Sequence, residues 1–263
     1  MAGKTIVVTS GKGGVGKTTT VANLGTSLAK KKYSVVMVDT DIGLRNLDVV
    51  MGLENRIVYN LVDIIEGKCR KEQAMIRDRK LPNLFMIPAA QTREKTSVTP
   101  QQIKELCSNL AKEYDYVLID CPAGIEQGFK NAIAGADAAL VVTTPEVSAI
   151  RDADRVIGLL EAAMIRQISL IINRLNAKMV KKGDMMSTQD IISLLSVPLL
   201  GVVPESDEVV VSTNRGVPLV HNAGSKAGAA FRNMAARLNG EGLAPYGHES
   251  RGLFGRMKRL FWN

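Results

Sequence analysis

The stretch Gly11-Lys12-Gly13-Gly14-Val15-Gly16-Lys17-Thr18 constrains this chain more than any other feature, because it stands between an apolar, β-branched run and a helix-forming segment. It satisfies G-x-x-x-x-G-K-[ST] in the strand-loop-helix setting that the pattern requires. Glycines there let backbone N–H groups turn inward around phosphate oxygens, and the N-terminus of the next helix adds a favourable dipole. Lys17 is placed to hold β- and γ-phosphates, Thr18 to ligate magnesium, and Thr19 to complete the loop.

Short apolar runs recur along the chain at Thr5 to Thr9, Val35 to Asp39, Leu84 to Pro88, Tyr116 to Asp120, Ala138 to Thr143, Ile168 to Asn173 and Leu199 to Val203. These read as buried strands. Amphipathic stretches of helical length lie between most of them: Thr18 to Lys30, Pro100 to Tyr114, Val147 to Met164 and Ser187 to Leu195, with Ala223 to Asn239 following the last strand. Alternation of this kind predicts an α/β P-loop NTPase fold, a mainly parallel sheet of seven to eight strands with helices on both faces. With 263 residues, 46% of them hydrophobic, and no internal break or repeat, residues 1–240 read as one domain. Residues 241–251, rich in Gly, Pro and polar side chains, read as a flexible linker.

Two further strands run into carboxylates. Val35 to Val38 leads to Asp39 and Asp41, and Val117 to Ile119 leads to Asp120. An open parallel sheet holds its ligands beyond the carboxyl ends of its strands, so all three acids can face the phosphates. At the far end of the sheet, Asn173 with Arg174 and Val203 with Pro204 end the last two strands, which is where a base would be read. No guanine-reading N-K-x-D motif is present, which favours ATP over GTP.

Lys12 is a second cation that the phosphates, already held by Lys17 and the backbone, do not need. With it the loop resembles the deviant Walker A class of P-loop ATPases, the MinD/ParA family. The resemblance implies that Lys12 reaches across an ATP-bound homodimer to the partner's phosphates, as an arginine finger does. It implies that Asp120 holds magnesium through water, that Asp41 orients the attacking water, and that Asp39 supports the metal shell. It makes Lys12, Lys17 and Asp41 the catalytic group and gives Asn173 the adenine. Asp39-Thr40-Asp41-Ile42-Gly43-Leu44-Arg45-Asn46-Leu47-Asp48, Pro122-Ala123-Gly124-Ile125-Glu126 and Pro145-Glu146-Val147-Ser148 narrow the likeness to the septum-site-determining branch, over essentially all 263 residues. That branch implies a MinC-like inhibitor of septation and a MinE-like activator as partners.

The last residues carry their own signal. Leu253, Phe254, Met257, Leu260 and Phe261 share one helical stripe, with Arg256, Lys258 and Arg259 on the flanks and back. Residues 252–263 therefore read as an interfacial amphipathic helix beside anionic lipid. One such tail binds marginally; two held on one dimer bind as a linked pair. No stretch reaches the roughly 18 apolar residues that a spanning helix needs, and no signal or transit pattern opens the chain. The expected location is the cytoplasm and the cytoplasmic face of the inner membrane, or the stroma and inner envelope for a plastid-encoded chain.

A formal charge of +8 and a pI near 9.4 keep open a DNA-segregating ATPase of the ParA type. Against nucleic acid, the most organised basic cluster carries a lipid-sized apolar face. Cys69, Cys107 and Cys121 match neither a zinc site nor a disulfide framework, which excludes those classes and indicates a reducing compartment. His221 and His248 pair with no nucleophile or metal spacing and read as structural or solvent-facing.

Overall fold

A computed structural model describes residues 3–241. The end of the expected linker, residues 242–251, lies outside the described residues, as does the helix expected at 252–263 with Leu253, Phe254, Met257, Leu260 and Phe261.

The first half runs β1 (Lys4–Thr9), α1 (Lys17–Lys30), β2 (Val35–Asp39), α2 (Leu47–Met51), α3 (Leu61–Ile65), α4 (Lys71–Ala74), β3 (Ile76–Arg77), β4 (Leu84–Ile87), α5 (Pro100–Leu110) and β5 (Tyr116–Asp120). The second continues with α6 (Gln127–Ala134), β6 (Ala138–Thr143), α7 (Val147–Ala162), β7 (Gln167–Leu175), α8 (Ala177–Lys182), α9 (Thr188–Leu195), β8 (Leu199–Pro204), α10 (Glu208–Asn214) and α11 (Lys226–Leu238). Eight strands form one sheet in the order β3-β4-β2-β5-β1-β6-β7-β8, with every pairing parallel except β3 with β4.

Period-two alternation sends side chains to two cores. Val7, Val36, Val117, Ile119 and Val141 face one side, packed with residues of α5, α6, α7 and α9; Ile6, Val8, Met37, Leu118 and Leu140 face the other, packed with α1 and α11. Strand β5 is buried throughout, so shortening Leu118 to Ala would cost about 2–5 kcal/mol. The sheet's order reverses at β1, which has β5 on one side and β6 on the other. A crevice opens there at the strands' carboxyl ends, and the glycine-rich loop enters it.

All seven expected strands are present. The eighth, β3, has two residues, too few to show a period, and pairs antiparallel at the edge beside β4. Three helices are shorter than expected by two residues or more. The Pro100 helix ends at Leu110, and the chain then turns toward Asp115, whose carboxylate accepts from the N–H and hydroxyl of Ser34. The Val147 helix ends at Ala162, since Met164 takes a left-handed φ of 64°. The last helix starts at Lys226 because the Ser225 hydroxyl caps it by accepting from Gly228 N–H.

Candidate nucleotide site

The glycine-rich loop leaves β1 with Gly14 and Gly16 at φ 76° and 101°, a conformation that strains any residue with a Cβ. It feeds directly into α1, so the first N–H groups of that helix point into the loop. Lys17 is almost wholly buried, at 8% exposure, and donates to Ser10 Oγ at 3.0 Å. Ser10 in turn donates to Lys12 O at 2.7 Å. A buried ammonium held by one neutral hydroxyl is placed to be neutralised by an anion.

Lys12 points elsewhere. Its Nζ lies 3.5 Å from Glu146 Oε2 and 3.4 Å from Ser148 Oγ, and about half its side chain is exposed. The two loop lysines are thus sorted, one into the crevice and one onto the surface beside the start of α7. Helix α7 also explains Gly11: a Cβ there would stand 2.4 Å from Asp152 O.

The parallel register sets Asp39 directly beside Asp120. Asp39 accepts from the N–H groups of Asp41 (2.9 Å), Asn46 (3.2 Å) and Leu47 (3.2 Å), so it ties the end of β2 to the start of α2. Its carboxyl is pushed up to about 7, chiefly by burial. Asp120 is raised well above the usual carboxylate range, first by burial and then by Asp39; the Thr18 hydroxyl, which donates to it, and Lys17 act in the opposite sense. Its Oδ1 is buried with no protein hydrogen-bond partner. The Thr18 hydroxyl, the adjoining carboxylate and that unsatisfied oxygen form a hard-oxygen set that suits Mg2+. Among the described residues no three His, Cys, Asp or Glu side chains converge into a metal-holding group. Asp41 is half-buried, and its charge raises both neighbouring carboxyls. The Pro122–Gly124 turn runs along the loop, with Ala123 Cβ 3.6 Å from where a Cβ on Gly13 would be.

Asn173 braces the loop. Its Nδ2 donates to Val15 O at 2.7 Å, its Oδ1 accepts from Arg174 N–H, and a Cβ on Gly16 would meet it at 2.3 Å. Arg174 is exposed with φ 58°, and Pro204 ends β8 beside Leu175. All three stand at the same mouth of the sheet.

The matches to known proteins fit this geometry. The family model of the CobQ/CobB/MinD/ParA nucleotide binding domain matches residues 6–219. The septum site-determining protein MinD of Bacillus subtilis is 53% identical over 263 residues, covering 98% of each chain. The chain belongs to the MinD family. Solved structures of that family superpose closely. MinD in the MinC:MinD cell division protein complex of Aquifex aeolicus gives a TM-score of 0.84 at 46% identity, covering 92% of this chain and 97% of that one. MinD of Pyrococcus horikoshii complexed with Mg-ADP gives 0.82 at 31% identity, covering 90% and 96%.

Four contacts of this MinD-family site escape a reading by motif: Ser10 on Lys17, Asp152 on Gly11, Glu146 and Ser148 on Lys12, and the Asn46 and Leu47 amides on Asp39. The Pro145-Glu146-Val147-Ser148 segment was a usable signal, because it follows a strand on the same side of the sheet as the loop.

Proposed function

We propose that this chain is an ATP-hydrolysing, membrane-cycling switch that helps place the division septum. Lys17 and the loop amides hold the phosphates, and Asn173, Arg174 and Pro204 frame the adenine. Thr18 and Asp120, with Asp39 fixing the neighbouring loop, hold the metal. When bound there, Mg2+ would supply positive charge against the phosphate oxygens. Asp41 orients the attacking water; its oxygen bonds to the γ-phosphorus as the bond to the bridging β–γ oxygen breaks, giving ADP and phosphate. Lys12 acts in trans on a second copy's phosphates, so ATP favours the dimer. Two tails then insert through Leu253, Phe254, Met257, Leu260 and Phe261 into an anionic membrane surface. The dimer recruits a MinC-like inhibitor, and a MinE-like activator triggers hydrolysis and release.

The observation that carries this reading is the sorting of the two lysines. Lys17 is buried against Ser10, whereas Lys12 lies outside its own crevice, 3.5 Å from Glu146 at the surface where a second copy could receive it. Sedimentation with anionic liposomes tests the reading, using ATP or ADP with the intact chain and with a form ending at Arg251. Binding that needs both ATP and the tail supports it. Binding indifferent to either would direct attention to the basic surface of the core and to DNA.

A further inference from the structure

The far end of α1 carries a second concentration of positive charge. Lys30 lies thirteen residues beyond Lys17 on a helix that rises about 1.5 Å per residue, which separates this region from the phosphate loop by about 20 Å. Here a recess of about 160 Å³ is lined by Arg79, Lys80, Arg215 and His221 around the backbone of Gly52 and Gly216. The two glycines touch: a Cβ on Gly216 would lie 2.5 Å from Gly52 Cα, so the floor is bare main chain.

The charges around the recess are poorly balanced. Among the described residues, Arg79, Lys80, Arg215, Lys30 and Arg232 form no ion pair. Lys30 and Arg232 turn to carbonyls instead, sharing Val220 O, with Arg232 also donating to Asn222 O and Ala223 O. The one acid on the wall, Asp78, has Oδ1 engaged by the N–H groups of Lys80 and Leu81. Burial first, then Lys30 and Lys80, lower the His221 imidazole below its ordinary value, with Asp78 opposing. Mutually repelling cations around a concave floor attract an oxyanion that they can share.

Position adds a second argument. Lys31, next to Lys30, pairs with Glu241 at 2.6 Å, so the last described residue is anchored at this end of α1. The structure assigns to the recess a phosphate-bearing anion, held by Arg79, Lys80, Arg215 and His221, as a binding site separate from the nucleotide loop. A phosphate monoester supplies that chemistry, either as an anionic lipid headgroup or as a soluble phosphate ester.

The test compares the full chain with the triple variant Arg79→Gln, Lys80→Gln, Arg215→Gln, whose altered side chains are exposed. ADP affinity and melting temperature are measured alongside, which separates failure of this recess from failure of the nucleotide switch. In the unchanged protein, inorganic phosphate should move the His221 ring resonances and raise the pH at which the ring titrates; the variant should not respond. With ATP present, binding to phosphatidylcholine vesicles containing phosphatidic acid should weaken about ten-fold or more in the variant, since each cation near an anionic surface contributes roughly 1 kcal/mol, or a factor of about five. Both effects together identify a headgroup site. The phosphate response without the vesicle effect identifies a soluble phosphate ester, which upholds the assignment. A silent His221 with unchanged vesicle binding overturns it, as does a loss confined to duplex DNA binding.

Discussion

The two ends of α1 meet negative charge in opposite ways. At its N-terminus the positive character resides in backbone N–H groups, shaped by Gly14 and Gly16 and joined by one buried lysine. At its C-terminus it resides on long side chains, Lys30, Lys80 and Arg79, gathered from two segments. Amides fixed by φ and ψ can match one ligand geometry; flexible cations on a surface tolerate many. A nucleotide switch needs the first kind of site, and a headgroup or phosphate contact needs only the second.

The strongest way to break this contrast is at Lys12. Lys12→Ala should leave ADP binding by the single chain unchanged, while ATP turnover in the presence of lipid and activator falls about a thousand-fold, the scale of a lost arginine finger. Equal losses of binding and turnover would mean that Lys12 serves its own crevice. Lys17→Ala should reduce nucleotide affinity about a hundred-fold or more, because charge-assisted hydrogen bonds are worth roughly 1.5–3 kcal/mol each; calorimetric titration reads this directly.

The glycine seam that floors the recess comes next. Gly52→Ala places a Cβ 2.6 Å from Gly216 O at a φ of 64°, so the fold should lose about 2–3 kcal/mol in denaturant unfolding. A neutral result would mean that the seam parts easily. A further effect concerns pH. Asp39 titrates near 7 in the fold against an ordinary 3.8, so the unfolded chain ionises first and the nucleotide-free protein loses stability as pH rises from about 4 to about 7. Melting temperatures across that range should fall less steeply for Asp39→Asn. Mg2+ with nucleotide should flatten the slope for the unchanged chain.

Much of this was legible in the sequence, and the reasons are particular. The β-branched runs at Ile6-Val7-Val8 and Val117-Leu118-Ile119 are buried on both faces and read as strands without ambiguity. The loop motif fixed its own place because each residue in it has a distinct task. Asp39 and Asp120 were found because both end strands, yet their side-by-side register depends on β2 pairing with β5, a long-range fact that no local pattern carries. The short helices α2, α3, α4, α8 and α10 span less than two heptads each, too little to show a period, and Asn60 or Asn176 caps are readable only once the helix is known. The recess was invisible for a related reason: the Arg79-Lys80 pair and Arg215 are far apart in sequence and meet only where Gly52 and Gly216 touch.

One small element has a consequence for life at high local concentration. Strand β3 occupies the open edge of β4 for only two residues, and Arg77 lies over the Phe85 ring at 5.4 Å. A neighbouring molecule that sought the Leu84–Ile87 main chain would find the hydrogen-bonding positions beside Phe85 and Met86 taken and a cation on the adjoining ring. Crowded copies are thereby discouraged from zipping together along this border.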